Sequence, residues 1–240
     1  MDLKNIALVS AFAASAIGIG ILLPKGELET TQIMPWQIEQ TETGATRVFG
    51  LIIGESSLTE VEQRFHTLAE ISLFAKPDGE YVTEVFFEKV EIGGLTSKVV
   101  IVSDLSQEEL AGMFERGLRI STLGSGTQKV TLSSEDLQHI RQTPIASLTY
   151  LPRIDLEETL VTKRFGEPVE KITEIENNTT HWLYPDVGLD ITMTPDGDAV
   201  LQYVPPQQFD ELLWQPLREL QEEQEAEANE AEQSTEKPAA

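Results

Sequence analysis

No cysteine occurs among the 240 residues. That removes disulfide frameworks, thiolate metal sites and cysteine nucleophiles. It also removes the acylated cysteine that a bacterial lipoprotein needs. Positive charge is scarce: 17 Lys and Arg stand against 41 Asp and Glu, a net charge of −24. Nucleic acid is therefore excluded as a partner, because phosphate would be repelled and no basic patch offsets it. Tight adhesion to anionic headgroups is disfavoured for the same reason. Histidine is limited to His66, His139 and His181. They fall in separate elements with no carboxylate or histidine at ligand spacing, so they read as ordinary surface or edge residues and no metal site is expected. Catalytic motifs are lacking too. Leu123-Gly124-Ser125-Gly126 lacks the Gly-x-Ser-x-Gly spacing of a nucleophile elbow and reads as a flexible loop. The acid pairs Glu108-Glu109 and Glu157-Glu158 read as solvated helix-start charges. No catalytic residue and no cofactor is expected.

What the chain does have is one long uncharged run, Ile6 to Leu23, whose most polar members are Ser10 and Ser15. Its length suits a helix crossing a hydrocarbon core of ~30 Å. Cleavage after the small-residue stretch Ala14-Ser15-Ala16 would leave Ile17–Leu23 as an exposed apolar end, which water penalises. No small-x-small site follows Leu23. The run reads as an uncleaved transmembrane signal-anchor, residues 1–24. Translocation of the long acidic remainder places the soluble region outside the cytoplasm, in the periplasm, with the anchor in the inner membrane.

Residues 25–45 read as a linker. The sequence then predicts a first α+β unit over 46–145. Ser56 or Ser57 caps a helix through Leu58, Val61, Phe65 and Leu68, with Glu60 completing a capping box. Strands follow at Ile71–Ala75, Tyr81–Ile92 (bent near Val90) and Lys98–Ser103, joined by turns at Pro77-Asp78-Gly79 and Gly93-Gly94. A helix over Ser106–Arg116 presents Leu110 and Phe114 inward. A short strand at Lys129–Leu132 precedes a helix capped by Ser133 or Ser134 and ended before Pro144.

A second unit over 146–206 repeats the order. Asp155 caps a helix through Leu160, Val161 and Phe165, closed by Gly166 and Pro168. Strands follow at Glu170–Ile175, His181–Tyr184, Leu189–Thr192 and Ala199–Val204, with Asn177-Asn178 and Pro195-Asp196-Gly197 as turns. The helices Leu58–Phe65 and Glu158–Phe165 share Val and Arg-Phe at equal spacing. A tandem of two helix-plus-three-stranded antiparallel units, about 100 residues apart, accounts for this. Residues 207–240 carry an apolar stripe of Phe209, Leu212, Leu213, Leu217 and Leu220. Beyond it the acidic tail has nothing to bury, so fraying or disorder is expected. From Glu219 to Ala240 there are eight acids and one base, so 7 of the 24 net negative charges lie there and 17 elsewhere.

The stretch Arg164-Phe165-Gly166-Glu167-Pro168, followed by Trp182-Leu183-Tyr184, resembles the helix, Phe/Leu-Gly-x-Pro turn and aromatic strand of the SmpA/OmlA (BamE-like) envelope lipoprotein family. The resemblance covers roughly 150–204 and, more faintly, 46–104. It implies helices on one face of a three-stranded antiparallel sheet, as in β-lactamase-inhibitor-like folds; the family's role in β-barrel assembly does not carry over by itself. The chain departs from the family in lacking the lipidated cysteine and in carrying His66 where the second unit has Gly166.

These features imply a non-enzymatic, membrane-anchored envelope protein that binds an unidentified protein, in assembly or maintenance of an envelope complex. Trp182, Tyr184 and Trp214 are the candidate partner-binding residues, although Trp182 also suits a core. The alternative is an enzyme or enzyme inhibitor with an unrecognised site, soluble after signal cleavage. Amino-terminal sequencing of the mature protein separates the two. Retention of Ile6–Leu23 is expected, and a mature terminus at Ile17 would rule out the permanent anchor.

Overall fold

A computed structural model describes residues 34–235. The expected anchor Ile6–Leu23, the linker as far as Ile33 and the last five residues lie outside them. Among the described residues no helix is long and apolar enough to cross a membrane. The protein is α+β with antiparallel strand pairing. It divides into two compact units, one of residues 34–153 with Gln202–Pro205, the other of Ile154–Leu201 with the described residues from Pro206 onward.

The N-terminal unit opens with a small sheet of β1 (Glu39–Gln40), β2 (Thr46–Val48) and β3 (Leu51–Ile52). Helix α1 (Leu58–Phe65) follows, its start fixed by the expected capping box: Ser57 accepts from the Glu60 N–H, and Glu60 accepts from the Ser57 N–H. The helix stops at Phe65 because His66 turns left-handed (φ 51°, ψ 34°). Leu68, expected on its inner face, lies past that stop and is 77% exposed.

Next come β4 (Glu70–Ala75), β5 (Tyr81–Ile92) and β6 (Leu95–Ser103), an antiparallel meander. The bend expected near Val90 is a bulge, a register shift between Phe87 and Val90. It brings Thr83, Val85, Phe87, Val90 and Ile92 all inward. Helix α2 (Gln107–Glu115) has a second capping box, Ser106 with Glu109. Met113 takes the buried place expected of Phe114, which is half-buried and packs against the Tyr81 ring at 5.3 Å.

Besides the short strands β1, β2 and β3, of which β1 falls inside the expected linker 25–45, two strands have no counterpart in the sequence reading. One is β7 (Arg119–Thr122), a hairpin partner to β8 (Gln128–Thr131). The other is β9 (Ile145–Pro152), which follows helix α3 (Ser134–Gln142, capped by Ser133). Preceded by Pro144 and ending on Pro152, β9 reads locally as a connection, yet it pairs with β6 from Ser97–Pro152 to Ser103–Ile145. The sheet order in this unit is β9-β6-β5-β4-β8-β7.

Aromatic rings fill its interior. Phe49 lies 5.3 Å from Tyr150, 6.0 Å from Tyr203 and 6.3 Å from Phe65, and Phe65 reaches Phe87 at 5.6 Å. The Tyr203 hydroxyl donates to the Pro35 carbonyl at 2.9 Å, and Ser97 donates to the Tyr150 oxygen. Phe49 itself has φ 54°, an unfavourable backbone for a bulky side chain. The burial of its ring and the 2.6 Å bond from Arg64 Nε to its carbonyl hold it there.

The C-terminal unit runs α4 (Glu158–Phe165), β10 (Glu170–Thr173), β11 (Thr180–Tyr184), β12 (Leu189–Met193) and β13 (Ala199–Tyr203), whose last residues join the N-terminal unit. Strands β10, β11 and β12 form a second antiparallel meander. Asp155 does not cap α4. The N-cap is Glu157, without a side-chain bond, because the Leu156 N–H is tied to the Gly197 carbonyl in the β12–β13 turn. Gly166 closes the helix as expected, at φ 85° and ψ −172°, a backbone that only glycine adopts easily.

A π-helical turn, Asp210–Trp214, leads into α5 (Gln215–Thr235). The fraying expected beyond Leu220 does not occur at that point. Gln224 is buried and accepts the Ile175 N–H at 2.7 Å, a tertiary bond that apolar periodicity does not reveal.

Replacing Phe49 by Ala is expected to destabilise the N-terminal unit by about 3–5 kcal/mol, since it empties the centre of the ring cluster. Denaturant unfolding measures this. A loss below about 1 kcal/mol would show that the cluster repacks without it.

Candidate functional site

In the C-terminal unit the side chains with chemical potential converge on β10, β11 and β12. Their placement follows from register. His181 pairs with Thr192, which puts Asp190, two residues along β12, on the same face as His181. The imidazole is 2% exposed. Its Nδ1 lies 2.8 Å from Asp190 Oδ2, and its Nε2 lies 2.9 Å from Glu174 Oε1. Thr192 Oγ1 sits 3.2 Å from Nδ1 and donates to Asp190 at 3.1 Å. Asn177 donates to the other Glu174 oxygen at 2.6 Å and accepts the Thr179 N–H, so the expected Asn turn also orients the carboxylate. Asp190 Oδ1 is buried and has no hydrogen-bond partner among the described residues.

Burial works against a charge on His181. The Asp190 charge, the hydrogen bond to Asp190 and then the contact with Glu174 outweigh it, and the pKa rises to about 10. His181 is thus an imidazolium at neutral pH, held between two carboxylates. Glu174 is lowered by its bond to His181, against burial, with help from Asn177. The expectation of an isolated surface or edge histidine fails here, because Glu174 and Asp190 reach the ring only once the hairpin registers are set.

The aromatic candidates occupy the same strands. Trp182 is 1% exposed, with Lys171 Nζ 3.3 Å from its ring centroid, a cation–π contact across the β10–β11 pair. Tyr184 is buried, packs on Phe165 at 6.3 Å and donates to the Gly166 carbonyl at 3.0 Å. Burial and the nearby Glu167 push its phenol up to about 12. Both rings are therefore committed to internal packing. Trp214 is half-buried. Its indole N–H donates to Glu170, which also accepts from Arg218 at 2.9 Å, while the Arg218 guanidinium lies 4.7 Å over the indole ring. Trp214 thus joins the start of α5 to β10.

In the N-terminal unit a polar cavity of about 600 Å³ is lined by Arg116, Glu135, Asp136, Gln138, His139 and Gln142. Arg116 donates to Asp136 at 2.6 Å, and Asp136 also accepts from Ser133. Burial would raise Asp136, but the bonds from Arg116 and Ser133 prevail and lower it. His139 lies 3.5 Å from Glu109, whose carboxylate is held low by Ser106. These groups brace α2 against α3 and satisfy one another. His66, the third histidine, ends α1. Among the described residues no three His, Asp or Glu side chains are placed to hold a metal ion.

No protein-family model matches the chain, and no curated protein or solved structure matches it either.

Because the His181 pKa is raised on folding, its contribution to stability is full below the unfolded value near 6.5 and is lost as pH rises towards about 10. Glu174, lowered on folding, contributes above its ordinary value of 4.5 and loses that contribution as pH falls. Stability of the C-terminal unit is expected to decline between pH 6.5 and 10, with the His181→Gln protein losing this slope. That variant leaves the buried Asp190 and the partly buried Glu174 carboxylates without their cation, a cost of about 3–5 kcal/mol. An unchanged slope in thermal melts of the variant would contradict the assignment of charge to His181.

Proposed function

We propose that the chain is a non-enzymatic, membrane-anchored envelope protein whose soluble region binds another protein. The observation that carries this reading is the distribution of what is engaged and what is open. The titratable clusters are engaged internally: His181 with Asp190 and Glu174, and Arg116 with Asp136. Open to solvent instead is a strand edge. All four residues of β7 are exposed, and Ile120 within it and Leu118 and Leu123 at its two ends are 45%, 70% and 37% exposed. Large apolar side chains grouped on one edge are the surface of a partner-binding protein, not of a catalytic pocket.

The sequence supplies the address: Ile6–Leu23 serves as a single-pass inner-membrane anchor, with the soluble region in the periplasm. The helix-and-meander order of α1 with β4–β6, and of α4 with β10–β12, supports a tandem of BamE-like units. In that reading the helical anchor replaces the family's lipid, and the partner belongs to an inner-membrane envelope complex.

Crosslinking in native membranes, followed by affinity isolation of the full chain, tests the reading. One protein recovered repeatedly in fixed ratio is the expected result. Recovery of the chain alone under mild crosslinking would overturn it.

A further inference from the structure

The apolar interior of the N-terminal unit does not end at the sheet margin. Leu73 on β4 pairs with Val130 on β8, and Val130 pairs with Ile120 on β7. Leu73 is fully buried and Val130 is 1% exposed, but Ile120 is 45% exposed. A row of cross-strand apolar neighbours thus reaches the last strand and, among the described residues, has no strand beyond it. The β7 backbone is open in the same direction. The Leu123 N–H donates to the Thr127 carbonyl, and hydrogen-bonded pairs alternate along an antiparallel ladder. Counted from that bond, Ser121 with Lys129 is a bonded pair and the N–H and C=O groups of Ile120 and Thr122 face away from β8, while at the start of the strand the Leu118 N–H reaches the Thr131 carbonyl at 2.8 Å. Such an edge is a template for another strand unless charge, proline or a covering element blocks it. β7 carries no proline, and its one charge is the exposed Arg119, which a partner strand of opposite charge would neutralise.

Its charge departs from that of the whole chain. Residues 116–134 contain Arg116, Arg119 and Lys129 and no acid at all, within a protein of net charge −24. Arg116 is held by Asp136, and Lys129 by Glu70 at 3.1 Å. Arg119 is exposed and has no ion-pair partner among the described residues.

Resting on the protein-binding reading above, we propose that β7 is the docking edge, and that it takes an extended protein segment alternating apolar and acidic residues. An added strand lies about 4.8 Å away. A residue opposite Ile120 would extend the Leu73–Val130–Ile120 row. Its chain neighbours, on the other face, would meet Arg119 and Ser121, so an acid there finds the free guanidinium. A second copy fits poorly, because its own Arg119 would approach this one and the net charges of two chains repel.

The probe is a fluorescein-labelled peptide alternating valine and glutamate, titrated against the full chain in detergent by anisotropy. Saturable binding is expected, reduced about tenfold or more by Arg119→Glu and by Thr122→Pro, which closes the open edge while sparing the β8 bonds. Two modified peptides test the mode without touching the protein. N-methylation at the valines, whose N–H groups would face β7, is expected to abolish binding. N-methylation at the glutamates, whose N–H groups would face away, is expected to spare it. Equal binding by both peptides, no binding at all, or equal affinity of a valine–lysine peptide would each overturn the proposal. So would a dimer of the full chain that Thr122→Pro disperses, since the occupant would then be a second copy. Photo-crosslinkers at Ser121 and at distant surface sites keep the two readings apart. A partner captured only at the distant sites defeats the β7 proposal and leaves protein binding standing. Absence of any captured partner defeats both.

Discussion

The N-terminal unit depends on holding one bulky residue in a backbone conformation it would not choose. Phe49, at φ 54°, sits in the turn between β2 and β3 with its ring against Phe65, Tyr150 and Tyr203. The left-handed backbone costs about 1–3 kcal/mol, and full burial of the ring returns more than that. The same residue therefore joins the small sheet, helix α1, strand β9 and the chain at Tyr203. Arg64 completes the arrangement by bonding the Phe49 carbonyl, so the geometry of this one turn is enforced from both its side chain and its backbone.

Polar groups follow a comparable logic of closure. His181 in the C-terminal unit is flanked by carboxylates on both ring nitrogens, and Asp136 in the N-terminal unit is satisfied by Arg116 and Ser133. A buried charge without a partner is expensive, and one with two partners is fixed in place. Such groups hold elements together but are poorly placed to exchange protons with a substrate. β7 is the reverse case. Its side chains and half of its backbone groups are open, and the apolar row from Leu73 ends at it. Affinity for another chain is expected where the structure leaves such an edge, and rigidity where the ion clusters lie.

Local signals were legible wherever a short segment decides its own conformation. Ser57 with Glu60 and Ser106 with Glu109 set helix starts through bonds only three residues long. Gly166 ends α4 for a backbone reason, and Pro77-Asp78-Gly79 turns β4 into β5. The failures lie where distant residues decide. Strand β9 follows one proline and ends on another, and is a strand because β6 pairs with it. β7 is four exposed residues whose order comes from β8. Asp155 has the right side chain for a cap but is held elsewhere by the Leu156–Gly197 bond. The aromatic candidates were legible as important and Trp182 as suited to a core; that Tyr184 is a packing residue as well is revealed only by its burial.

By itself the sequence determined the absences and the local starts and stops. Without cysteine there is no thiol chemistry, 41 acids against 17 bases set a strongly negative charge, and Ile6–Leu23 is an uncharged run whose length suits a bilayer core. These follow from composition and from interactions spanning a few residues. The tertiary structure alone decided that His181 carries a charge, that Trp182 is enclosed, and that Ile120 is open while Val130, its cross-strand neighbour, is not. Each of these depends on strand register, which brings residues far apart in sequence to within a few ångströms, and register is a property of the paired chain.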